Sequence, residues 1–253
     1  MIRSIKRRDF LCGAAAACAA GCCTTASREA EGRGWEPPFE DLHVHLDNST
    51  IDAVVALSRE RAVKFGIVEH AGDRENVYPT VLSNDEELEA YIAMLDGKPV
   101  YKGVQAEWHN WFECFSPAAL ARLDFILTEA MTYPNQEGKR HKLWEPGFDI
   151  GEPEAFMDAY VDWYVRILEE QPIDVLANVS WLPEPLGAYY EHFLTDRRIG
   201  RVVETAVQYG TAIDISSGFR LPRLRFLETA REAGAKFCSG TNGRYPKMGL
   251  HQY

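Results

Sequence analysis

Two histidines stand two residues apart in Asp41-Leu42-His43-Val44-His45-Leu46-Asp47, inside a short apolar run. In an extended chain alternate side chains share a face, so the spacing predicts His43 and His45 on one side and Leu42, Val44 and Leu46 on the other. Two imidazoles at a strand end make a seat for a divalent ion such as zinc, manganese or iron. A buried strand with two hydrogen-bonded histidines would read the same, so the pair gains meaning only from what stands beside it. Further short apolar runs also end in residues of ligand or acid–base type. In order these are Glu69 and His70, Gln105 and Glu107, Glu129 and Met131, Asn178, Asp214 and Ser216, and Asn242 and Arg244. Period two puts Gln105 with Glu107, Glu129 with Met131, and Asn242 with Arg244 on shared faces.

The elements that must carry these residues alternate. Strands are expected at 41–46, 64–70, 99–107, 124–131, 174–181, 211–216 and 236–242. Helices are expected at 50–61, 85–95, 153–170, 196–209 and 223–233. Ser49 or Thr50 is placed to cap the first, Asn84 with Glu87 to form a capping box on the second, Pro153 to open the third and Gly234 to end the last. Seven β–α alternations with nearly continuous apolar strands predict one α/β domain, a parallel barrel with its chemistry at the C-terminal strand ends. An open doubly wound sheet is the alternative, but no glycine-rich phosphate loop follows the first strand.

Asp41-Leu42-His43-Val44-His45, Glu69-His70, Gly103-Val104-Gln105-Ala106-Glu107 and Gly240-Thr241-Asn242-Gly243-Arg244 resemble the successive motifs of the PHP (polymerase and histidinol phosphatase) superfamily. The resemblance runs from Asp41 to the end and implies a distorted (β/α)7 TIM-like barrel that binds metal and hydrolyses phosphoesters. It implies His43, His45 and His70 as metal ligands. Gln105 stands where the family has a bridging glutamate, a role that passes to Glu107 on the same face. Met131, Asn178, Asn242 and Arg244 replace further ligands of the family. Asparagine coordinates weakly and arginine not at all, so Asn178 and Asn242 leave room for one or two divalent ions and not three. Glu69 and Glu129 are then candidates for proton relay, and Arg244 for neutralising charge on a small anionic substrate.

Lys139-Arg140-His141-Lys142 and Arg220 add positive charge near strand ends, either as substrate contacts or as solvated surface. Trp108, Trp111, Tyr133, Trp144 and Trp181 follow strand ends and serve packing or a ring-binding wall. The net charge of −11 makes nucleic acid a poor partner. Residues 1–23 read as an export signal: Lys6-Arg7-Arg8-Asp9-Phe10-Leu11 resembles a twin-arginine motif, and Ala19-Ala20-Gly21-Cys22 a lipobox. That predicts a periplasmic or envelope-attached lipoprotein whose membrane contact is a lipid on Cys22. Residues 24–38 read as a flexible tether and 39–253 as the barrel. Cys114 and Cys238 are the two cysteines left in the barrel, which is no disulfide framework. The expected activity is that of an exported metal-dependent phosphoesterase. The alternatives are a catalytically degenerate anion-binding barrel and an amidohydrolase-type amide or lactone hydrolase, though the later ligands of that type are not found.

Overall fold

The structure, a computed structural model, describes residues 37 and 39–249 apart from 48 and 136. The expected export signal and almost all of the tether lie outside the described residues. The first half of the chain forms β1 (Phe39–His45), α1 (Ile51–Arg61), β2 (Val63–Ala71), β3 (Val81–Leu82), α2 (Asp85–Leu95), β4 (Tyr101–Ala106), α3 (Pro117–Leu120) and β5 (Phe125–Thr128). The second half forms β6 (Thr132–Pro134), β7 (Arg140–Lys142), α4 (Pro153–Glu170), β8 (Val175–Leu176), α5 (Tyr190–Phe193), α6 (Asp196–Tyr209), β9 (Ala212–Ser216), α7 (Leu224–Glu232), β10 (Phe237–Gly240) and β11 (Gly243–Arg244).

The helix caps act as their residue types predict. The Thr50 hydroxyl accepts from Ala53 N at 3.3 Å, and Asn84 Oδ1 from Glu87 N at 3.0 Å. Glu87 reaches back to Ser83 N at 2.8 Å, one residue before the cap, so the expected capping box is displaced by one position.

Seven strands pair in parallel in the order β10-β9-β8-β5-β4-β2-β1, with β3 beside β2 and β11 beside β1. Contacts between the two ends bring the sheet round into a nearly closed barrel. Ser239 Oγ donates to Glu40 O at 2.6 Å, while Thr241 N and Oγ1 donate to the two oxygens of Asp41 at 2.9 and 2.6 Å. Asp41 is fully buried and accepts further bonds from His43 N at 3.2 Å and Gly249 N at 2.9 Å, so its desolvation is offset four times over. The architecture is the distorted (β/α)7 TIM-like barrel expected from the sequence.

Inside the barrel Leu42, Val68, Phe125, Leu127, Val175, Ala177 and Ala212 make a small plug. The Phe125 ring crosses over β2 and β4, where a Cβ on Gly103 or Gly66 would lie 2.5 or 2.8 Å from it. Two larger apolar layers pack the helices on the outside: Val44, Ile67 and Val104 face α1 and α2, while Leu176 and Ile213 face α4, α6 and α7.

Four expectations change. A bulge in β1 between Asp41 and Val44 moves Leu42 into the interior plug while Val44 and Leu46 pack outside, so the three do not share a face. The strand expected at 174–181 is only Val175–Leu176, because Asn178 and Ser180 adopt positive φ (49° and 68°) and turn the chain. A hairpin, β6–β7, stands where a plain loop was expected. Between β4 and β5, a stretch without an expected helix, a 3₁₀ turn (Trp111–Cys114) precedes the short α3.

Candidate active site

The ends of β1, β2, β4 and β5 and the β10–β11 connection deliver polar side chains to one mouth of the barrel. A cavity of about 330 Å³ there is lined by His45, His70, Gln105 and Glu129, with Tyr78, Met131, Trp144, Phe219, Asn242 and Arg244 around them. His45 follows the bulge on β1, and both of its ring nitrogens are buried with no hydrogen-bond partner among the described residues. Burial lowers its pKa well below the usual range, helped by His43, His70 and Arg244, which keeps the ring neutral. The His45 and His70 rings lie nearly parallel, 4.8 Å apart.

His70 owes its orientation to Glu107. Its Nδ1–H donates to Glu107 Oε1 at 2.7 Å, leaving a buried Nε2 without a partner. The same Oε1 accepts from Gln105 Nε2 at 3.0 Å, and Oε2 accepts from the Tyr78 hydroxyl at 3.3 Å. Gln105 Oε1 in turn faces His43 Nε2 at 3.0 Å, while His43 Nδ1 lies 3.8 Å from Asp214. A carboxylate bonded to the far nitrogen of an imidazole fixes the tautomer whose other nitrogen is an open lone pair. The buried chain His43–Gln105–Glu107–His70 therefore holds one nitrogen of His70 toward the cavity.

Several sequence expectations are rearranged. His43 lies beneath the cavity, bonded to Gln105, so of the first histidine pair His45 alone lines it. Glu107 sits behind His70 with both oxygens accepting protein hydrogen bonds, and Gln105 occupies the lining position. Glu69 points to the opposite face of β2 from His70, as alternation demands. Its carboxylate accepts from Leu46 N at 2.9 Å, and burial raises its pKa to about 7, but it does not line the cavity. Glu129 does line it; burial and the neighbouring Glu107 raise its pKa, and Asn178 Nδ2 donates to it at 2.6 Å. Asn178 thus serves Glu129 and stands apart from the two open imidazoles.

Arg244 reaches the rim, where Nε donates to Asp47 at 2.6 Å and Nη1 to the side-chain and backbone oxygens of Asn242 at 3.1 Å. Among the described residues its Nη2 has no partner. The Asn242 amide oxygen is occupied by this guanidinium. Arg140 and Lys139 are paired with Asp73 and Glu137, and Arg220 does not line the cavity. Tyr78, which stacks on His70 at 3.6 Å, and Phe219 were missed by sequence reasoning, because each lies in a loop outside the strands.

Among the described residues no three His, Cys, Asp or Glu side chains are arranged to hold an ion together. The open nitrogens of His45 and His70, on nearly parallel rings 4.8 Å apart, are the two donors that would take part in holding a single divalent ion. They do not fit a three-ion cluster.

No protein-family model matches the chain, and no curated protein matches it by sequence. Among solved structures it is similar to histidinol phosphate phosphatase from Lactococcus lactis subsp. lactis Il1403, with a TM-score of 0.51 and 10% identity, over 81% of this chain and 85% of that one. The fold is that of histidinol phosphate phosphatase. The TIM-like barrel expected from the sequence is therefore the one found. That phosphatase was solved in complex with zinc, L-histidinol and phosphate. An HpcH/HpaI aldolase from Desulfitobacterium hafniense DCB-2 is more distant, with a TM-score of 0.40 and 13% identity over 81% of this chain and 86% of that one.

Proposed function

We propose that this chain is a hydrolase of small anionic esters, phosphomonoesters foremost, working with one divalent ion (zinc, manganese or iron) held by His45 and His70. The observation that carries the reading is the meeting, in one cavity, of two buried imidazoles with open nitrogens and a guanidinium. The likeness of fold to a phosphatase solved with zinc and phosphate supports it. An ion held there supplies Lewis-acid activation of the ester and of water.

The chain's own groups do the rest. Glu107 holds the His70 ring in one tautomer, and Gln105 ties that carboxylate to His43. Arg244, steadied by Asp47, offers Nη2 to an anionic oxygen at the rim. Glu129, whose pKa is raised by burial, lines the cavity as the group to donate a proton to the leaving oxygen. Glu69 takes no part, since it faces the helix layer. A barrel that binds the anion without hydrolysing it is the second reading, favoured by the commitment of His43, Glu107 and Asn242 to protein hydrogen bonds.

The test is elemental analysis of purified protein together with hydrolysis of p-nitrophenyl phosphate, on wild type and His45→Ala. One ion per chain, lost with activity in the variant, is expected. A bound ion with no hydrolysis moves the assignment to the second reading, and hydrolysis by metal-free protein overturns the role of the ion. We also propose that the protein works outside the cytoplasm as a lipoprotein, on the strength of Lys6–Leu11 and Ala19–Cys22.

A further inference from the structure

Three aromatic side chains from three separate connections surround the cavity mouth: Tyr78 after β2, Trp144 after β7 and Phe219 after β9. Tyr78 is spoken for, since one face covers His70 and Lys142 Nζ stands 3.9 Å over its ring. Trp144 and Phe219 differ. Each is 42% exposed, and neither has a ring partner among the described residues. The other strand-end aromatics behave otherwise: Trp111 is fully buried, and Trp108 and Tyr133 pack against Trp163. Lys142 also lies 5.7 Å from the Trp144 ring, so the apolar rim carries a cation on one side and Arg244 on another. The cavity, about 330 Å³, is at the small end of pockets that take whole organic ligands.

We infer that the substrate carries a planar ring beside its anionic group, an aryl or heteroaryl ester whose ring sits between Trp144 and Phe219 while the anion meets Arg244 and the histidines. This rests on the anionic-ester reading and adds the class of leaving group. Aromatic faces at a rim bind rings by offset or edge-on contact and gain little from a short alkyl chain.

Two probes that cannot be hydrolysed, phenylphosphonate and methylphosphonate, are titrated calorimetrically into the purified metal-loaded protein. Phenylphosphonate is expected to bind about three- to tenfold more tightly, the size of an aromatic pair. Trp144→Ala and Phe219→Ala should each bring the ratio between the two ligands toward one, with unchanged circular dichroism. Trp144→Phe, which keeps a ring, should restore most of it. Equal affinities in wild type overturn the ring subsite and leave the anionic reading intact. No binding of either probe overturns both.

Discussion

Gln105 lines the cavity and Glu107 does not, the reverse of the expectation that Glu107 takes over the bridging role implied by the family resemblance. Two residues on one face of β4 are indistinguishable in a sequence; depth decides between them, and the glutamate lies behind His70 while the glutamine lines the cavity. As the acceptor for His70 Nδ1, Glu107 would, under the proposed function, set the affinity for an ion through the orientation of the His70 ring. Glu107→Gln should weaken metal binding by about 10–100-fold, because a neutral amide no longer enforces one tautomer. Competition against a chromophoric chelator measures this, and an unchanged affinity would remove Glu107 from its positioning role. The histidines themselves were legible in the sequence from their places at the ends of successive apolar runs. That His43 is occupied and His45 open was not, since it depends on the bulge at 41–44 and on Gln105 across the barrel.

At the scale of elements, the β6–β7 hairpin clamps the loop that carries Tyr78. Arg140 bonds Asp73 at 2.5 Å and Asn76 at 2.8 Å, and Lys142 donates to Val77 O at 3.2 Å. Partial burial alone would raise the Asp73 pKa; the hydrogen bond and charge of Arg140 outweigh it and lower the value. A carboxyl with a lowered folded pKa adds stability above its unfolded pKa, near 4, and loses it as pH falls through the lowered value. Asp73→Asn should therefore cost up to about 1 kcal/mol at pH 7, discounted for solvent screening, and the gap from wild type should close below about pH 4. Urea titrations at both pH values check this; a gap independent of pH would mean that charge is not what holds the loop. This hairpin escaped the sequence because each strand is three residues long and too short to show alternation. The long helices α4 and α6 match the expected 153–170 and 196–209; Pro153 opens the first, and in the structure Thr195 caps the second.

For the whole molecule, the alternation of elements fixed the barrel in advance, because parallel strands buried on both faces have few other ways to close. The proposed address of the protein is a separate matter, written in residues 1–23. Changing Arg7 and Arg8 to lysine should retain the protein in the cytoplasm, read by cell fractionation, and envelope fractionation like wild type would refute the twin-arginine assignment. Within the described residues, the closure at Asp41 has its own implication for how the chain is made. The partners that bond this carboxylate, Thr241 and Gly249, come 200 and 208 residues later. During synthesis from the N-terminus, β1 therefore emerges long before Thr241 and Gly249 can complete the hydrogen bonding of Asp41 that His43 N begins. Closing so long a loop sets a slow final step, and until it happens the nascent protein carries an unpaired strand edge with two bare histidines. A chaperone that shields such edges would be needed most while the last strands are still in the ribosome.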